Sequence, residues 1–135
     1  QYHRYTTEIF LHFLLLADGA GDREAADAVR PVVERLSEHL LHAARPDGTI
    51  PLLGDDDGGR LVQLDGRPAR DVRALLAAGA AVFGRADFAW GAHLRRPGED
   101  VAAALWLLGP AALGALDALA PRPPAGTSRA FADGG

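Results

Sequence analysis

The sequence predicts an all-α domain, and three observations predict it. Most of the chain falls into stretches with apolar residues at helical spacing. Short breaks of Gly, Pro and Asp separate most of these stretches. The one strand-like run is Leu61-Val62-Gln63-Leu64. At 135 residues, 48% hydrophobic and 24% charged, the chain has the composition of one globular domain with a modest core, not of a disordered segment.

The elements follow in order. Residues 4–17 hold no Gly or Pro and read as a first helix. Beyond Ile9 its apolar residues surround the axis, which predicts burial on most sides. The run begins abruptly with Tyr2-His3-Arg4-Tyr5, so the chain is expected to start inside a structural element. Asp18-Gly19-Ala20-Gly21-Asp22 ends the helix with turn residues.

Residues 24–44 read as a second helix, with Val29, Val33, Leu36, Leu40 and Ala43 as its apolar stripe and Arg30, Glu34, Arg35 and Glu38 on a wetter face. Pro31 either opens that helix near Arg30 or stands inside a longer one and kinks it. Residues 45–68 form a long irregular segment with dense turn chemistry, a kind of loop that in a compact domain is usually functional or partly disordered. Residues 70–83 give a third helix with Val72, Leu75, Leu76 and Ala80 inward. A short turn over 87–92 carries Phe88 and Trp90, and two helices over 99–108 and 111–119 are broken at Gly109-Pro110. Residues 121–135 are rich in Pro, Gly and Ala and read as a linker. The sum is about five to six antiparallel helices with one long irregular loop. No internal repeat of tetratricopeptide or HEAT length is present.

Composition excludes several classes. The net charge is −4 and every basic residue is Arg, which argues against a nucleic-acid partner. Without Cys there is no disulfide, thiolate metal site or thiol nucleophile. The run from Ile9 to Ala17 is too short to span a bilayer, and it lacks the basic flank and cleavage site of a signal peptide. No P-loop, dinucleotide fingerprint or nucleophile elbow occurs, and no cofactor is expected.

Three groups of residues have side chains suited to chemistry. A Tyr hydroxyl such as that of Tyr2 gives a proton to a leaving oxygen, or takes one when nearby positive charge lowers its pKa; His3 covers the same work nearer neutrality. Read alone, the pair is also the ordinary polar start of a helix. Asp55-Asp56-Asp57 places three carboxylates together, but without the alternating spacing of a calcium loop. The run reads instead as Asp side chains capping turns and pairing with Arg60, with Gly58 and Gly59 at positive φ. His39 and His42 share a helix face but have no third ligand at fitting spacing, so no metal site is expected. His12 reads as a packed, hydrogen-bonded histidine.

Four segments, in this order, resemble the helical domain of the heparinase II/III-like family of bacterial polysaccharide lyases. They are Gln1-Tyr2-His3-Arg4-Tyr5-Thr6-Thr7-Glu8, then Pro46-Asp47-Gly48-Thr49-Ile50-Pro51-Leu52-Leu53-Gly54-Asp55-Asp56-Asp57-Gly58-Gly59-Arg60, then Leu105-Trp106-Leu107-Leu108-Gly109-Pro110, and finally Ser128-Arg129-Ala130-Phe131-Ala132-Asp133-Gly134-Gly135. The resemblance implies a partial (α/α) toroid over residues 1–120 and a linker over 121–135 towards a β-sandwich. It implies β-elimination on an acidic polysaccharide of the heparin, heparan sulfate or alginate kind, in a periplasmic or secreted parent.

The family's catalytic Tyr maps onto Tyr2, with His3 assisting or orienting it. Arg4, Arg60 and Trp90 are expected to meet the sugar. The group that neutralises the substrate carboxylate and a second catalytic His are expected in preceding helices and in the β-sandwich, outside these residues; the chain itself contains no Asn. The net acidic charge departs from a cleft built for a polyanion. The rival expectation is a helical carbohydrate-binding or scaffold module without chemistry, in which Tyr2, Phe88 and Trp90 stack on sugars or pack the core.

Overall fold

The computed structural model describes residues 2–93, 101–126 and 128–132. Among them lie six helices and no strand: α1 (Tyr2–Ala20), α2 (Arg23–Ala43), α3 (Arg73–Phe83), α4 (Ala86–Gly91), α5 (Ala102–Leu108) and α6 (Ala111–Asp117). The all-α class is therefore observed. The start of the helix expected over 99–108 lies outside the described residues.

Helix α1 packs along α2. It buries Arg4, Thr7, Glu8, Leu11, Leu14 and Ala17, a set spaced by the helical period along one face. Ile9, Phe10, Phe13 and Leu16 are exposed, which corrects the expected burial on most sides. Leucine and phenylalanine all round the helix did not decide the matter; α2 and the long loop cover only one side of it.

Asp22 caps α2 by accepting from the Ala25 amide at 3.1 Å. Pro31 stands inside α2, which runs unbroken from Arg23, so the second of the two readings of Pro31 holds as to position. Arg30 reaches back to Asp18 at 2.6 Å and ties the hairpin shut.

Helix α3 is the centre of the domain and contacts α2, α4, α5 and α6. Leu75 to Ala80 are all buried. It begins at Arg73 rather than at residue 70, because Asp71 is committed elsewhere: its backbone forms a bridge with Thr49, and its carboxylate accepts from the Arg73 amide at 3.0 Å. Gly84 ends α3 at φ 64°, a left-handed conformation that glycine adopts without steric cost.

Gly91 lies against Leu41 and Leu76, and a Cβ there would sit 3.0 Å from Leu76 Cδ1 and closer still to Leu41 Cδ1. Gly91→Ala is therefore expected to destabilise the fold by about 1–3 kcal/mol through overpacking, read as a lower thermal midpoint.

The segment expected to be a scrap of strand, Leu61-Val62-Gln63-Leu64, is not one. A strand needs a neighbouring backbone to receive its amides. Here the Leu61 and Val62 amides donate to the Glu8 carboxylate at 2.9 and 3.3 Å. The long loop is instead closed at its base, where Ile50 N donates to Arg70 O and Val72 N to Gly48 O, each at 3.0 Å.

On the other side of the domain Arg85 joins α2 to α4. It pairs with Glu34 at 2.8 Å, Glu38 at 3.3 Å and Asp87 at 2.6 Å. The Arg85 hydrogen bond holds Asp87 below its ordinary value of 3.8. A carboxylate with a depressed folded pKa contributes stability above its unfolded pKa and loses it as pH falls through the folded value. Acid unfolding below about pH 3.8 is thus expected to include the release of Asp87, and Arg85→Met should raise the pH at which α4 loosens, seen in its amide signals.

Candidate functional site

The first turn of α1 and the loop around Asp57 meet, although they are 55 residues apart in sequence. Tyr2 Oη donates to Asp57 Oδ2 at 3.2 Å, and Arg4 Nη1 donates to the Gly59 carbonyl at 3.1 Å. Arg4 also pairs with Glu8, one turn on, at 3.3 Å. Glu8 in turn receives the Leu61 and Val62 amides, so one charged pair anchors the loop from Gly59 to Val62. The Tyr2 ring remains 61% exposed, and its hydroxyl is accessible at this edge.

The hydrogen bond to Asp57, and then its negative charge, raise the Tyr2 pKa above 10.0. The phenol therefore keeps its proton at neutral pH. Of the two roles open to it, this environment fits a proton donor; a base would need the opposite shift.

His3 points elsewhere. Successive helical residues diverge by about 100°, and the His3 ring lies against α2. Its Nε2 donates to the Leu36 carbonyl at 3.0 Å, and its ring centroid is 4.1 Å from that of His39. Phe131 packs on the same group, 5.0 Å from His39 and 6.0 Å from His42, while Arg129 pairs with Glu38 at 2.7 Å.

Burial, and then the charges of His3 and His42, lower the His39 pKa below 6.5. A histidine held neutral in the fold stabilises it fully above its unfolded pKa and loses that contribution as pH falls through the folded value. Acidification below about pH 6.5 is expected to loosen Phe131 from α2, followed by its ring resonances, and His39→Phe should flatten that response.

The other expected site residues fall in different places. Arg4 is only 2% exposed, which corrects its assignment as a sugar ligand. Its guanidinium is spent on Glu8 and Gly59, and a substrate does not reach it in this conformation. Arg60 is also largely buried and pairs with Asp65 Oδ1 at 3.2 Å rather than with the Asp55-Asp56-Asp57 run. Asp56 caps the loop as expected, accepting from Gly58 N at 3.0 Å, and pairs with Arg70 at 3.7 Å; Gly58 has φ 67° as expected, whereas Gly59 is not at positive φ.

Trp90 is half-buried in α4 beside Leu41, Pro46 and His93, in a cavity of about 210 Å³ that shares no lining residue with the Tyr2 edge. Phe88 is fully buried and belongs to the core. No group of three or more His, Asp or Glu suited to a metal occurs among the described residues, and no described helix is long and apolar enough to cross a membrane.

Glu8 is the residue that sequence reasoning passed over. The signal was present in its helical spacing from Arg4. Comparison with protein-family models, with curated proteins and with solved structures finds no match to this chain.

Proposed function

We propose that this chain is the helical part of a polysaccharide lyase that cleaves a uronic-acid-containing polymer by β-elimination. The observation that carries the reading is the Tyr2–Asp57 contact. It joins two distant segments that resemble the lyase family, and it leaves an exposed, protonated phenol at their junction. In this reading the six helices are an arc of an (α/α) toroid, and the sugar chain passes the edge that bears Tyr2.

The chemistry asked of Tyr2 is small and specific. A base takes the C5 proton of the uronate, the C4–O4 bond breaks, and the electron pair closes a C4–C5 double bond. Tyr2 delivers its proton to the departing O4, and no water enters. Asp57 orients the hydroxyl beforehand through the bond it accepts. Charge neutralisation at the uronate carboxylate and removal of the C5 proton fall to segments outside these 135 residues.

The test is the absorbance of the unsaturated uronate on heparan sulfate and on alginate. The full-length protein should produce it, and residues 1–135 alone should not. Absence of product from the full-length protein on every uronate polymer offered would overturn the lyase reading. Turnover by residues 1–135 alone would overturn the need for outside groups.

A further inference from the structure

Five buried side-chain polar atoms among the described residues have no hydrogen-bond partner within the chain. Four of them, Arg4 Nε, His12 Nε2, Arg60 Nε and Asp65 Oδ2, belong to residues lining one small cavity beneath the long loop. Its remaining wall is largely apolar, with Leu64 and Leu75. Independent accidents of packing would scatter unsatisfied atoms over the core; here four of the five fall on residues of one cavity wall.

Their chemistry is complementary. The two arginine Nε–H groups are donors only. Asp65 Oδ2 is an acceptor, and Arg67 Nη1 stands 3.8 Å from it, beyond hydrogen-bond reach. His12 Nδ1 lies 2.7 Å from the Glu8 carbonyl, which can only accept, so Nδ1 carries the hydrogen. In the neutral imidazole, Nε2 is then an acceptor. The set is two donors and two acceptors, the inverse of the two acceptor sites and two hydrogens of a water molecule. The cavity holds about 20 Å³, and one water needs about 10–15 Å³ of such space.

We infer that this cavity binds a single buried water, which accepts from Arg4 and Arg60 and donates to Asp65 and His12. A bare ion fits less well. The charges of Arg4 and Arg60 are already balanced by Glu8 and Asp65. An anion would meet the Asp65 oxygen and the His12 lone pair, and a cation would meet two N–H groups. The water cross-links α1, through Arg4 and His12, to the loop, through Arg60 and Asp65. It therefore acts with the Glu8 clamp in holding the loop that presents Asp57.

Solvent-to-protein magnetisation transfer in the intact protein tests this. A long-lived water should give cross-peaks at the solvent frequency to the Arg4 and Arg60 Hε protons and to the His12 ring. His12→Gln, which can supply an acceptor, should keep the arginine cross-peaks. His12→Leu should weaken them at least several-fold, while the α2 and α3 amides stay in place and show that the fold survives. Absence of the cross-peaks in the unmodified protein would overturn the assignment. Saturable shifts of both Hε signals on titration with bromide would overturn it too, by showing an anion in the cavity.

Discussion

On the proposed lyase reading, Tyr2→Phe is expected to lower release of unsaturated uronate by the full-length protein by roughly a hundred- to ten-thousand-fold, the usual span for loss of a general acid. The fold should survive, because the hydroxyl removed lies at an exposed edge and makes a single bond, to Asp57. Its loss leaves Asp57 in water rather than buried and unpaired, so thermal stability should change little. Asp57→Asn is the informative companion. It removes the charge that raises the Tyr2 pKa while keeping an acceptor for the hydroxyl. The alkaline limb of the pH–rate profile should then move to lower pH, since the phenol gives up its proton more readily. If Tyr2→Phe turns over at the unmodified rate, Tyr2 is not the acid.

Glu8→Leu is expected to cost about 3–5 kcal/mol of stability, the range for breaking a buried ion pair by removing one partner. Both members are buried, and Glu8 does more than pair with Arg4. It is also the acceptor for two loop amides. Removing it leaves the Arg4 charge without its pair and frees the loop from α1. Chemical denaturation should show the loss as a lower midpoint. Arg4→Met combined with Glu8→Leu should recover part of it, because an apolar pair of similar volume avoids the stranded charge. A single variant with unchanged stability would show that the pair is not buried in solution.

The helices were legible because their punctuation is local. Gly21, Gly84 and Gly109-Pro110 stand where helices end, and the inward residues of α3 follow directly from its period. Boundaries slipped where a side chain intervened. Asp71 delayed α3 by taking up both the loop base and the Arg73 amide, and spacing along the chain does not announce such a commitment.

The site was legible in part. Tyr2 and the Asp run were both visible as residues with chemistry. Their contact spans 55 residues, and no periodicity encodes it; the resemblance alone placed them in one protein region. Arg4 was misread for a general reason. A lone arginine in a sequence reads as surface, and only its partner Glu8, one turn on, marks it as buried. His3 was read together with its neighbour Tyr2, whereas helical geometry sends adjacent side chains to different partners.

The Glu8 clamp carries a consequence for how the loop tolerates changes in length. A strand fixes register along its whole extent, so an inserted residue shifts everything beyond it. Here the tip of the loop is gripped without a ladder, by a carboxylate that seizes two consecutive amides. Residues added between Leu52 and Asp55, ahead of that grip, are taken up by chain that makes no ladder. Asp57 would then stay opposite Tyr2. A residue added between Gly59 and Leu61 moves the gripped amides relative to the Arg4-bound carbonyl, and the two holds can no longer be satisfied together. The loop is free to drift in length ahead of that grip, and Asp57 lies within a few residues of it.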